Sequence, residues 1–138
     1  MHGRQAIRDA IKATLLNNTA CGASVFENRS STLTALELPA IVIASETETS
    51  VPRDIGATAY VRKLTLLLEI RAQATADSAT DDALDNIALQ IETKLRTNNN
   101  LGGIVFSLLL TGTTVAYSAD GDSYTGHMTM TYEADYIF

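Results

Sequence analysis

A chain of 138 residues with 46% hydrophobic content can bury a core without disulfides or metals, so it reads as one domain, residues 1–138. Ten Lys and Arg stand against sixteen Asp and Glu, and the formal charge of −6 gives no long-range attraction for a phosphate backbone. The lone Cys21 has no partner for an internal disulfide, residues 1–20 lack a signal-type apolar run, and no window nears the roughly 18 apolar residues of a membrane span. The expectation is a soluble protein that folds in a reducing cytoplasm.

Along residues 4–18, Ile7, Ile11 and Leu15 recur every four positions and predict an amphipathic first helix. Arg4, Arg8 and Lys12 share that spacing and form a basic stripe, either a solvated face or a contact for an acidic partner. Asn17, Asn18 and Gly22 supply stop and turn signals, and a brief strand is expected at Val25 and Phe26. Residues 38–45 are β-branched and apolar on both faces, which predicts a buried strand starting near Pro39. Residues 46–58 carry hydroxyl and acidic side chains, Pro52 and Gly56, with no period, and are expected to be a mobile loop. In residues 60–72, Leu64, Leu66, Leu68, Ile70 and Ala72 alternate with mainly polar neighbours, so one strand face is predicted to lie on the core.

A second helix follows over residues 78–97, capped by Asp77 or Ser78, with Asp81 and Asp82 in its positive first turn. Leu84, Ile87, Ala88, Ile91 and Leu95 make its buried stripe, Glu92 and Arg96 an exposed pair, and the Asn98 to Asn100 run with Gly102 and Gly103 ends it. Residues 104–110 are continuously apolar and fit a short helical turn feeding a strand. Residues 113–118 and 124–136 flank Asp120, Gly121 and Asp122, a hairpin signal. In the last strand Met128, Met130, Tyr132 and Tyr136 alternate with His127, Thr129, Thr131, Glu133 and Asp135. The fold class is therefore α+β: a mainly antiparallel sheet with two principal helices packed on one face.

Catalytic chemistry finds no support in these residues. Cys21 has no base in view, since His2 sits at the terminus and His127 on a polar strand face. No Cys or His pair has zinc spacing, Asp120 and Asp122 lack the glycine a calcium loop needs, and Gly102 and Gly103 open no phosphate-binding motif. No catalytic, cofactor or metal residue is assigned. What remains is a one-sided sheet with open edges and many Thr and Ser on strand faces, features that suit an interaction protein. A small-ligand pocket near Tyr117, Tyr124, His127 and Tyr132 is the alternative from another class.

The order of segments carries more. Asp9-Ala10 in the first helix precedes Val25-Phe26 with Arg29, then Leu38-Pro39-Ala40 opening a strand. Leu66 to Ile70, Asp82-Ala83-Leu84-Asp85 and Met130-Thr131-Tyr132-Glu133 follow in that order. Over nearly the whole chain this resembles the lambda-type phage tail terminator family, also called the minor tail protein U family. It departs in a C-terminal extension, residues 134–138, and in a less acidic hairpin turn.

The resemblance implies a virion or prophage structural protein without catalysis or cofactor. It would form a homo-hexameric ring that caps the tail tube protein, halts tube polymerisation and presents a joining surface for the head-completion protein. Another head-tail joining or tube protein of the same assembly is the nearer alternative. The location implied is the virion tail, after assembly in the host cytoplasm. DNA would pass through the ring without specific binding. On this reading residues 46–58 are either a subunit-contact or tube-contact arm or an ordinary hairpin loop. Arg53 in that segment and Lys63, Glu69 and Arg71 on the polar strand face are the expected interface residues.

Overall fold

The spacing of Ile7, Ile11 and Leu15 becomes the buried stripe of α1 (Gly3–Leu15). This computed structural model describes residues 1–27, 37–74, 77–120 and 123–138. The Nδ1 atom of His2 accepts a hydrogen bond from the Arg4 amide at 3.2 Å, so His2 caps α1 rather than fraying from it. The helix stops three residues short of the expected Asn18, because Asn17 turns into the left-handed region with φ of 59°. A short strand β1 (Val25–Glu27) follows, then β2 (Ala40–Pro52), β3 (Tyr60–Ala74) and α2 (Asp77–Thr97). A 3-10 turn at Leu101–Gly103 leads into the final hairpin, β4 (Ser107–Asp120) and β5 (Ser123–Ile137). The helical turn expected within residues 104–110 thus lies a few residues earlier. Arg29 and the Gly121 and Asp122 of the predicted turn fall outside the described residues, as do the side chains of Asp77 and Ser78.

The five-stranded sheet has the order β1-β2-β3-β5-β4, with β1 parallel to β2 and the other neighbours antiparallel. Leu64, Leu66, Leu68, Ile70 and Ala72 of β3 and Met128, Met130, Tyr132, Ala134 and Tyr136 of β5 are buried on one face. They form one hydrophobic cluster with Ile7, Ile11 and Leu15 of α1 and Leu84, Ile87, Ile91 and Leu95 of α2. Both helices therefore cover the same face, as their single apolar stripes require. The fit under α2 is close: a Cβ added to Gly126 of β5 would meet Leu84 and Thr80 side-chain atoms at 2.6 Å.

Residues 46–58 overturn an expectation. They do not form a mobile loop, because β2 runs through Pro52 and pairs with β3 down to Tyr60. Only residues 53–59 remain as a connection, and hydrogen bonds close it. The Arg53 amide donates to the Ala59 carbonyl at 2.9 Å, and Asp54 accepts from the Thr58 amide at 3.1 Å and its hydroxyl at 2.7 Å. The sequence concealed the strand because its register shifts between Ser45 and Thr47. That β-bulge reverses the in-out alternation, so the odd-numbered Ile41, Ile43 and Ser45 share the helix-covered side with the even-numbered Glu48 and Ser50 beyond the bulge.

Candidate assembly interface

A carboxylate on the core side of a sheet needs partners, and Glu48 has them from three elements. Its Oε2 accepts from Arg4 of α1 at 2.7 Å and from Arg62 of β3 at 3.0 Å, while its Oε1 accepts from the Tyr136 hydroxyl of β5. Burial alone would raise the Glu48 pKa, but the bonds from Tyr136, Arg62 and Arg4 outweigh it and hold the carboxyl below its ordinary range. Burial, followed by the hydrogen bond to Glu48, pushes the Tyr136 phenol well above its usual value. Arg62 also donates to the Phe138 carbonyl at 3.1 Å and lies over the Tyr60 ring, 5.0 Å from its centroid. The first part of the basic stripe on α1 is thus tied to the sheet of its own chain. Arg4 binds Glu48, and Arg8 donates to the Ser45 hydroxyl at 2.8 Å, so both arginines fasten α1 to β2.

Among the described residues, the opposite face of the sheet carries no helix. There β3 presents Lys63, Thr65, Glu69 and Arg71, and β5 presents His127, Thr129, Thr131, Glu133 and Asp135. Lys63 sits 3.9 Å from Glu133, with both side chains substantially exposed. Glu69 accepts from Arg71 Nε at 2.8 Å and lies 3.2 Å from His127 Nδ1. The Arg71 bond is the main reason the Glu69 carboxyl is held low, against its partial burial and with help from His127. Lys63, Glu69 and Arg71 accordingly share one face, as the alternation predicted. Arg53 stands apart from them, exposed in the hairpin turn.

Two apolar exposures were less legible. At the end of the β2 and β3 hairpin Ile55 is fully exposed, flanked by Val51 and Val61, which are 63% and 43% exposed. At the far edge of the sheet, a groove of about 210 Å³ opens between the C-terminal half of α2 and the base of β4. Leu95, Leu110 and Tyr132 make its apolar lining, with Glu92 and Arg96 on the helix side. Burial and then the Glu92 charge push the Tyr132 phenol up to about 12, so it stays a neutral donor. Leu109 in the same lining is 59% exposed, and Ile104 and Phe106, just before β4, are 41% and 68% exposed. An isolated Ile55 in a polar stretch was the one sequence signal for the first patch. The second needed the topology, which alone brings residues 92–99 to β4.

The residues of the alternative ligand pocket do not converge. Tyr132 is buried on the helix-covered side of β5, whereas His127 is on the open side, and the Tyr117 hydroxyl donates to Asp81 at the start of α2. The side chain of Tyr124 lies outside the described residues. Cys21 is buried, and burial pushes its thiol up to about 11, far from a reactive thiolate. Among the described residues no three His, Cys, Asp or Glu side chains are grouped to hold a metal ion, and no helix is long and apolar enough to cross a membrane.

A sheet covered on one side by two helices, with a polar open face and separate apolar exposures at a hairpin tip and an edge groove, defines a protein of the α+β class. The sequence profile of the family described as phage minor tail protein U matches residues 2–136, and the chain belongs to that family. It is a structural protein of the phage tail. No curated protein matches the chain. Among solved structures, a chain of the "Virion of native gene transfer agent (GTA) particle" is similar with a TM-score of 0.44 and 8% identity, over 94% of each chain.

Proposed function

We propose that this protein is a tail terminator: six copies close into a ring on the finished tail tube, stop its polymerisation and offer the surface on which the head is joined. The observation that carries this reading is the family match, which spans residues 2–136. The whole chain acts as one domain, without catalysis, and is assembled into the virion tail in the host cytoplasm. The physical features of the fold support the reading. A ring built from identical chains needs two different patches that fit each other, and a polar, hydroxyl-rich sheet face can pack in an assembly without being sticky beforehand.

Arg53, Lys63, Glu69 and Arg71 are the proposed contact residues between subunits or toward the tube, and the β2 and β3 hairpin is the proposed contact arm. Duplex DNA passes the ring without specific binding. Six copies at −6 each make a formal −36, and a lumen that neutralised many phosphates would retain the genome through counterion release. Native mass spectrometry of the full chain across concentration tests the ring. Monomers giving way to hexamers are expected, and a dimer at every concentration contradicts it.

A further inference from the structure

A head-to-tail ring uses a heterologous interface, in which one surface patch of a copy meets a different patch of the next. We propose that the hairpin tip of one copy, residues 53–59, docks into the groove between α2 and β4 of the neighbouring copy, with Ile55 in the groove and Arg53 facing Glu92. This inference rests on the ring reading above and identifies the two patches that close it.

Three observations support this occupant. First, the patches match in chemistry. Ile55 is a fully exposed branched aliphatic, and the groove is an open cavity of about 210 Å³ whose apolar side holds Leu109, Leu110 and Tyr132 beside the polar Glu92, Arg96 and Asn99. Being apart on one chain, the exposed Ile and the exposed leucines of the groove both stay wet unless a second copy joins them.

Second, the patches match in charge. Arg53 lies two residues before Ile55, and on the helix side of the groove Glu92 offers it an anion, one turn before the cation Arg96, so a tip seated with Arg53 on Glu92 is also fixed in its register. Asp54 is engaged with Thr58 in shaping the turn, which leaves Arg53 as the cation of the tip.

Third, the strand directions agree. In the order β2-β3-β5-β4 every neighbour is antiparallel, so β2 and β4 run in opposite senses. β4 is an edge strand that pairs only with β5 among the described elements. A neighbouring hairpin laid beside that edge in the antiparallel sense brings its tip to the base of β4, where the groove opens and where Ile104 and Phe106 are exposed. The same placement covers an edge that would otherwise invite unspecific strand pairing.

Charge reversal at the two positions gives a test that depends on the head-to-tail geometry. Arg53→Glu and Glu92→Arg should each lower ring formation at low salt at least tenfold, because each sets like charges across every interface. Mixing the two variants one to one should restore hexamers in which they alternate, since each tip then meets an opposite charge. The double variant should form rings alone. Ile55→Asp should abolish rings while the monomer's circular dichroism and thermal transition stay as in the wild type. Native mass spectrometry reads all four outcomes. Rings that persist in Ile55→Asp, or single variants that the mixture does not rescue, overturn the tip-to-groove contact and leave the ring reading standing. A wild-type chain that stays monomeric even with tube ends present overturns both.

Discussion

Glu48 is the residue on which the hairpin, α1 and the chain's last strand converge. Replacing it with Gln removes the charge that Arg4 and Arg62 share and should cost about 2 kcal/mol, read as a lower thermal midpoint. Its folded pKa is depressed, so its contribution is complete above the ordinary carboxylate range and is lost as pH falls through the folded value. Wild-type stability should therefore drop on acidification below about pH 4.5, where an unfolded Glu48 takes up its proton, and the Gln variant should show a shallower drop. Equal slopes in both would show that Glu48 does not carry the acid sensitivity. A second residue-scale expectation concerns Gly126→Ala. The new methyl group would strike Leu84 and Thr80 at 2.6 Å, and overpacking of this kind costs roughly 1–3 kcal/mol. A chemical-denaturation midpoint unchanged by this substitution would mean that α2 can lift from β5 at no cost.

At the scale of elements, periodicity was a sufficient guide wherever one face of an element is simply buried. Helices α1 and α2 and strands β3 and β5 carry unbroken stripes, and each was legible to within a few residues. The lower half of β2 was not, because one bulge reversed its alternation and its core-side position is a glutamate whose partners lie 14, 44 and 88 residues away. Long-range partners of a charge leave no local pattern. For the same reason the basic stripe on α1 could not be assigned, as Arg4 and Arg8 bind β2 residues 44 and 37 positions away. The turn at residues 53–59 makes a separate prediction. Substituting it with Asn-Gly, which suits a two-residue hairpin, should leave monomer stability within about 0.5–1 kcal/mol and eliminate the hexamer. Hexamers formed by that shortened chain would remove the hairpin tip from the subunit contact.

For the whole molecule, the surface divides by role. The helix-covered side of the sheet is closed by apolar packing, and the other side holds its charges in short internal pairs such as Arg71 with Glu69 and Lys63 with Glu133. The Lys63 pair is exposed and the Arg71 pair half-buried, so each contributes at most about 1 kcal/mol to monomer stability, and the larger effect should appear in assembly. Arg71→Glu should leave the monomer's thermal transition nearly unchanged and weaken rings more at low salt than at high salt. Rings of unaltered affinity would exclude that face from the interface. The polar face was legible as a face, through the alternation of residues 60–72 and 124–136. The family became legible through the order of motifs, since no single side chain marks it.

The most direct test adds the purified protein to tail tube protein that is polymerising in solution and measures tube lengths by electron microscopy. Tubes that stop growing, each with a six-fold ring at one end, are the result a tail terminator must give. Tubes that lengthen at the same rate with and without the protein, and that carry no ring, would contradict the account.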